Sequence, residues 1–307
     1  MFFFSLYSHL CVAICFVCSL HGEDYIEKKI INGRKTSLKK YPFAVSIMTT
    51  SKPHICGGSI ITKTLVTSAC HCFRSNVSGS VNEVPPIFLH VRAGIVNLKY
   101  SAKSEQLRYV DKIYIHPKCV ITDKSLYYDI ALLRISPSFI FNDYVKPISL
   151  PFSLTKTEHG QVNLTYYTEI RLYCYVAGWG KNNHENVSND LMEVAIPLMP
   201  FKTCSDTISA VSKGNFTVSD PTSQICASVV EGKDACTGDS GSGLKCGKYL
   251  LGMVSWGVGC ANVSYPAVFA KIDCAKAFFR EVFLSKGNFL NGSSMWVFLI
   301  AISLSST

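Results

Sequence analysis

The sequence predicts an all-β fold, either a sandwich or a barrel. Short runs of β-branched and aromatic residues recur along it. Among them are Phe43-Ala44-Val45-Ser46-Ile47, Gly58-Ser59-Ile60-Ile61, Leu65-Val66-Thr67-Ser68, Ile87-Phe88-Leu89-His90-Val91, Tyr173-Cys174-Tyr175-Val176-Ala177 and Leu250-Leu251-Gly252-Met253-Val254. Gly, Pro and Asn punctuate the intervals. Helical periodicity is strong only from Ala275 to Leu284, where Phe278, Phe279, Val282 and Phe283 share a face. Short runs between turn residues fit the strands of a sandwich or a barrel, and periodicity does not choose between the two.

Residues 1–20 are almost wholly apolar, from Phe2-Phe3-Phe4 to Val17-Cys18-Ser19-Leu20. They read as a secretory signal peptide, cut after Ser19 or, preferably, after Gly22, so that it spans 1–22. The start lacks the usual Lys or Arg, and an uncleaved anchor is the alternative. Glu23 to Lys29 is a short charged link. The segments Arg74–Pro86, Phe152–Tyr167 and Ser205–Ser223 are polar and longer than usual connections, and read as surface insertions or functional loops. After the helix, Ser285-Lys286-Gly287-Asn288 reads as a polar spacer and Met295 to Leu304 as an apolar end. That end is too short for an ordinary membrane span. Small residues, spacer and apolar end across 286–307 fit a GPI-anchor signal, with Ser285 or Gly287 as attachment sites; a soluble protein with an apolar end is the alternative.

A composition of 48% hydrophobic and 17% charged residues excludes a disordered chain. The net charge of +9 is dispersed, for example over Arg34, Lys35, Lys39, Lys40, Lys112, Lys118 and Lys124. With no basic helix or RNA-binding motif, no nucleic-acid partner is expected. A solvated basic surface is, with weak attraction to acidic glycans or membranes as the alternative. Fourteen cysteines imply an oxidising compartment. Six Asn-x-Ser/Thr sequons agree, at Asn76, Asn163, Asn186, Asn215, Asn262 and Asn291.

Reactive residue types concentrate in Lys233-Asp234-Ala235-Cys236-Thr237-Gly238-Asp239-Ser240-Gly241. Alone, Gly-Asp-Ser-Gly reads as an ordinary turn. Upstream, however, are Ala69-Cys70-His71-Cys72 and Asp129-Ile130-Ala131-Leu132-Leu133, and downstream is Ser255-Trp256-Gly257-Val258-Gly259-Cys260. An alcohol is a poor nucleophile at neutral pH; it needs a base in reach, and the base needs a third group to fix its tautomer. A zinc site at Cys70-His71-Cys72 lacks the usual ligand spacing. The other seven histidines read as surface or packing residues.

In this order the motifs resemble the trypsin-like serine proteases of the chymotrypsin fold, over roughly residues 30–283. The resemblance implies two packed six-stranded antiparallel Greek-key β-barrels with a C-terminal helix, in a peptidase domain spanning 30–285. It implies Ser240 as nucleophile, His71 as general base and acid, and Asp129 as the residue that orients His71. The backbone N–H groups of Gly238 and Ser240 are then the oxyanion hole. Asp234 falls at the base of the specificity pocket, which implies cleavage after Lys or Arg rather than an elastase- or chymotrypsin-like preference. Ser255, Trp256 and Gly257 are implied to pair with the substrate main chain. Gly257 and Gly259 leave the pocket mouth open, and Ala267 adds a methyl to the facing wall. Cleavage after Lys29, at the end of a propeptide spanning 23–29, would free the Ile30 amine to pair with Asp239.

The implied disulfides are Cys56–Cys72, Cys174–Cys246, Cys204–Cys226 and Cys236–Cys260. Outside the signal peptide this leaves Cys70, Cys119 and Cys274. Cys70 replaces the small residue usual before the catalytic His and is expected to be a buried thiol, with Cys119–Cys274 as an extra bridge. Ser242 stands where the family has a second Gly, and strain is expected if that position needs a left-handed backbone. The loop Val96–Gln106 has only Glu105 as an acid, so no calcium site is expected, and no metal or cofactor elsewhere. Expected partners are protein or peptide substrates and protein inhibitors, with membrane attachment through a lipid anchor if the tail is cut. The alternative is an inert binding protein on the same scaffold.

Overall fold

The computed structural model describes residues 33–52, 54–77, 80–155, 163–180, 188–229, 238–258 and 265–291. Six strands form the first sheet: β1 (Ala44–Thr49), β2 (Cys56–Thr62), β3 (Leu65–Ser68), β4 (Leu89–Ala93), β5 (Gln106–Ile115) and β6 (Ala131–Ser136). They close into a barrel in the order β1-β2-β3-β6-β5-β4. The second set is β7 (Tyr173–Gly178), β8 (Met192–Met199), β9 (Gln224–Ala227), β10 (Gly243–Cys246), β11 (Tyr249–Gly257) and β12 (Ala267–Lys271). Its pairings run β7-β8-β9-β12-β11-β10, with β7 and β10 closing the ring. Both barrels therefore share one scheme: three strands in sequence, then the sixth beside the third, the fifth and the fourth. Closure removes the free edges that an open sheet would present.

The strands follow their side-chain pattern. Along β4, Leu89, Val91 and Ala93 are buried while His90 and Arg92 are half-buried, the period-two signature of one face on a core. Strand β2 instead buries both faces. Ile60 joins the first core, while the small residues Gly57 and Ser59 lie against Ser242 and Gly243 of the second barrel. Each large core side chain, such as Trp179 or Phe279 at 1% exposure, contributes at most about 1.5–3 kcal/mol by removal from water.

Helices α1 (Leu164–Glu169), α2 (Phe201–Val211) and α3 (Lys276–Asn291) complete the fold. α3 overlaps the expected helix but runs on through Ser285-Lys286-Gly287-Asn288, so that stretch is helical rather than a spacer. Phe278, Phe279 and Val282 are buried as expected, and Phe283 packs on the same core. α2 falls partly in a segment expected to be a loop. Its buried stripe is only Cys204 and Ile208, a single i,i+4 pair that gives little periodic signal. Arg74–Pro86 holds a hairpin of Arg74–Val77 with Ser80–Glu83. Among the described residues no helix is long and apolar enough to cross a membrane. The expected signal peptide, Lys29, Ile30, Asp234, Cys236, Gly259, Cys260 and residues 292–307 lie outside the described residues.

Candidate active site

Register brings His71 to Asp129. Ser68, at the end of β3, pairs with Ala131, at the start of β6. The chain runs antiparallel, so the 3-10 turn Cys70–Cys72 beyond β3 faces the residues just before β6. Asp129 Oδ2 lies 2.7 Å from His71 Nδ1, and Oδ1 accepts the His71 backbone N–H at 2.8 Å. Ser255 Oγ, from β11 of the other barrel, donates to Asp129 Oδ2 at 2.6 Å. Asp129 is buried at 1% exposure, whereas the His71 side chain is 24% exposed. Burial disfavours the imidazolium, but the charge and hydrogen bond of Asp129 outweigh it, and His71 titrates above its ordinary 6.5. Burial also opposes the Asp129 carboxylate, yet His71 and Ser255 hold it below the usual carboxylate range.

The Ser240 turn lies against the His71 turn. The Ser240 carbonyl accepts the Gly57 N–H at 2.8 Å, and Ser68 Oγ donates to the Gly57 carbonyl at 2.8 Å. Gly241 has φ +79°, and a Cβ there would run into Ser68 Oγ and come within 2.9 Å of the Ala69 backbone nitrogen. Only glycine fits that approach. Asp239 is fully buried and its Oδ1 accepts the Gly180 N–H at 2.8 Å. The left-handed angles of this turn fall on Gly238, at φ +97°, and Gly241, while the positive-φ non-glycines among the described residues are Tyr128, Arg171 and Lys213. Ser242 is not one of them, so the expected strain at Ser242 is corrected. Its N–H donates to the Asp239 carbonyl at 2.8 Å and its carbonyl accepts the Val254 N–H at 2.9 Å.

The Trypsin family model matches residues 30–278. This chain belongs to the trypsin family. Curated relatives include Trypsin 5G1 of Aedes aegypti, 32% identical over 83% of this chain and 85% of that protein. Trypsin II-P29 of Gallus gallus is 31% identical over 88% of this chain and 94% of that protein. Trypsin-1 of Salmo salar is 30% identical over 80% of this chain and 87% of that protein. The protein is a trypsin-like serine endopeptidase, and its substrates are proteins.

Within this trypsin-family scaffold, His54, which reads from the sequence as a surface or packing residue, contacts the Gly238 turn. Its Nε2 lies 2.8 Å from the Gly238 carbonyl oxygen and its Nδ1 lies 2.8 Å from Ser46 Oγ. A carbonyl only accepts, so Nε2 carries the proton and Ser46 donates to Nδ1. Burial pushes the His54 pKa below 6.5, against the opposing pull of Gly238, which keeps the ring neutral at pH 7. The one sequence cue was position, two residues before Cys56-Gly57-Gly58.

Three of the expected bridges form, and Cys70, Cys119 and Cys274 depart from expectation. Cys56–Cys72, Cys174–Cys246 and Cys204–Cys226 are bridged. Cys70 is not a thiol, and Cys119–Cys274 does not form; Cys70 and Cys119 are joined instead. His71 is thus flanked by two cystines. Cys119 lies on a loop tied back to the Asp129 region, since the Cys119 N–H donates to the His116 carbonyl at 2.8 Å and the His116 N–H to the Ile130 carbonyl at 3.0 Å. Cys274, on α3's approach, is the free cysteine among the described residues; burial, with Asp273 nearby, pushes its thiol up to about 12. The sulfurs around His71 are spent in bridges, so the group Cys56, His71 and Cys72 offers no thiolates to a metal.

Trp256 and Gly257 pair across the sheet with Val268 and Ala267. Ala267 therefore stands opposite Gly257. Gly257 is exposed, and the Trp256 ring sits 6.1 Å from Phe216. Ser255 serves Asp129 through its side chain, a role that its expected main-chain pairing did not include.

Proposed function

We propose that this protein is a secreted endopeptidase, made as a zymogen, that cleaves after Lys or Arg. The observation that carries the catalytic reading is the Asp129–His71 pair, clasped by Ser255 and packed against the Ser240 turn. Ser240 Oγ attacks the scissile carbonyl while His71 takes its proton and later returns it to the leaving amine. Asp129 fixes the His71 tautomer and stabilises the imidazolium. The Gly238 and Ser240 N–H groups hold the oxyanion, and losing one such donor typically costs about 100- to 1000-fold in rate.

Asp234 is the acid that a cationic side chain pairs with; an unpaired buried carboxylate is costly. Ser255, Trp256 and Gly257 meet the substrate as an added strand. The Ala267 methyl narrows the space that a planar guanidinium needs, which shifts preference towards Lys. Cleavage after Lys29 releases the Ile30 amine to pair with buried Asp239, an ion pair absent before the cut. The signal peptide spans 1–22 and the propeptide 23–29, with Cys236–Cys260 bracing the pocket. The 286–307 tail is a candidate lipid-anchor signal. Protein inhibitors are further partners, and nucleic acid is not one.

The second reading, an inert binding protein, rests on Ala267 departing from the family pattern and blocking the pocket. A fluorophosphonate probe separates the two after activation. Labelling of Ser240 supports the protease, and an unlabelled but folded protein supports the binder.

A further inference from the structure

Asn215 lies in the sequon Asn215-Phe216-Thr217 and is exposed. The turn that carries it leaves α2 through Lys213 at φ +53° and Gly214 at φ +76°. Hydrogen bonds fix its shape. The Gly214 N–H donates to the Ser209 carbonyl at 2.9 Å, and the Asn215 N–H donates to the Ser212 carbonyl at 3.1 Å. Ser212 Oγ accepts the Phe216 N–H at 3.1 Å and donates to the Phe216 carbonyl at 3.2 Å. Space around the turn is open, since a Cβ built on Gly214 would meet nothing within 4 Å.

The next residues lead to Trp256, which the proposed function places beside the substrate. The Phe216 ring packs 6.1 Å from Trp256, one residue after the Ser255 that holds Asp129. The Thr217 N–H donates to the Lys124 carbonyl at 3.0 Å, on the loop that leads to Asp129. Tyr127 Oη and Ser219 Oγ are joined at 2.9 Å across the same seam. The sequon thus sits on a strap between the two barrels, with its asparagine exposed and its aromatic packed beside Trp256. The other sequon with a described, exposed side chain, Asn163, instead uses its side-chain oxygen to cap α1 at Tyr166.

We propose that Asn215 carries an N-linked glycan, and that this glycan walls the Trp256 side of the cleft against large protein ligands while short peptides pass. A glycan is bulky and hydrated, so it stays outside the cleft and excludes volume beside it. The proposal rests on the secretory reading above.

The test uses the full chain secreted from a eukaryotic host and then cut after Lys29. Enzymatic deglycosylation in heavy-oxygen water followed by peptide mapping is expected to tag Asn215. Surface plasmon resonance with a folded protein inhibitor then compares the unaltered chain, Asn215→Gln and the sequon-keeping Thr217→Ser. Asn215→Gln is expected to speed association roughly tenfold, at the lower end of the range seen among variants of one interface. Its kcat/KM on a tripeptide amide stays unchanged, and Thr217→Ser behaves as the unaltered chain. Tags on other sequons but not on Asn215 overturn the proposal, as does a tagged Asn215 whose loss leaves association unchanged. A protein retained in the cell with no sequon tagged overturns the secretory reading and the proposal with it. A protein that is secreted, cut after Lys29 and still inactive overturns only the catalytic reading, because mapping and inhibitor association do not need turnover.

Discussion

The imidazole Nε2 of His54 donates to the carbonyl oxygen of Gly238 at 2.8 Å, and Ser46 Oγ locks its other nitrogen. That bond fixes the peptide leaving Gly238, and with it the direction of the neighbouring N–H groups. His54→Ala should therefore cost turnover and leave binding largely alone. The expected loss is about 10- to 100-fold in kcat with KM little changed, less than removal of an oxyanion donor itself. Steady-state kinetics on one peptide substrate check this; an unchanged kcat would mean that the Gly238 turn holds itself.

The raised pKa of His71 has a direct kinetic consequence. His71 must be neutral to act as a base, so the acid limb of kcat/KM should fall above 6.5, because Asp129 raises its pKa. Asp129→Asn removes the charge that stabilises the imidazolium, and the limb should move to lower pH. The turnover loss should approach about 10⁴-fold, a magnitude taken from the chymotrypsin-type template rather than from this chain. A pH–rate profile of both proteins reads the two effects. A limb that stays in place would remove Asp129 from the account of the His71 pKa.

The cystine Cys70–Cys119 closes a separation of 49 residues around the His71 turn. Loss of such a cross-link typically lowers stability by about 2–4 kcal/mol. Asp129 still holds His71 through two hydrogen bonds, so activity at 25 °C should change only a few-fold in Cys70→Ala/Cys119→Ala. Denaturant unfolding and a non-reducing peptide map test this together. A mapped Cys119–Cys274 link, or an unchanged midpoint, would contradict it.

Glu193 on β8 anchors the segment just downstream of the expected activation cut. Arg34, Thr36 and Lys40 all bind its carboxylate, which is 4% exposed. Burial works against the charge, but these partners outweigh it and bring the pKa from 4.5 to about 2. A pKa depressed on folding gives stability that is present above the unfolded value and lost as pH falls towards the folded one. Because Arg34 and Lys40 are exposed, the contribution is about 1–2 kcal/mol after screening. Glu193→Gln should thus lower Tm at pH 6, with the difference shrinking as pH approaches 2. An equal difference at both pH values would contradict this sign.

Much of the candidate site was legible because trypsin-family chemistry is written in short motifs. His71, Asp129 and Ser240 each sit in a local signature, and the short apolar runs mark the strands. Barrel closure was not legible, since strand pairing is non-local. The partner of Cys70 was hidden for the same reason: only the fold brings Cys119 beside the residue preceding His71. His54 lacks any periodic or spacing signal, and its role comes from a carbonyl 184 residues away. Ser242 shows the opposite error, an expected strain that is absent because Gly238 and Gly241 take the left-handed positions.

The central claim is that cleavage after Lys29 produces an enzyme that cuts after basic residues through Ser240. A peptide-library cleavage profile, run before and after that cut with Ser240→Ala as control, tests it most directly. The account predicts no cleavage from the uncut chain or from Ser240→Ala, and cleavage after Lys and Arg from the cut protein. It also predicts a Lys:Arg ratio that falls in Ala267→Gly. Cleavage after Leu or Phe, or equal activity of the uncut protein, would contradict it.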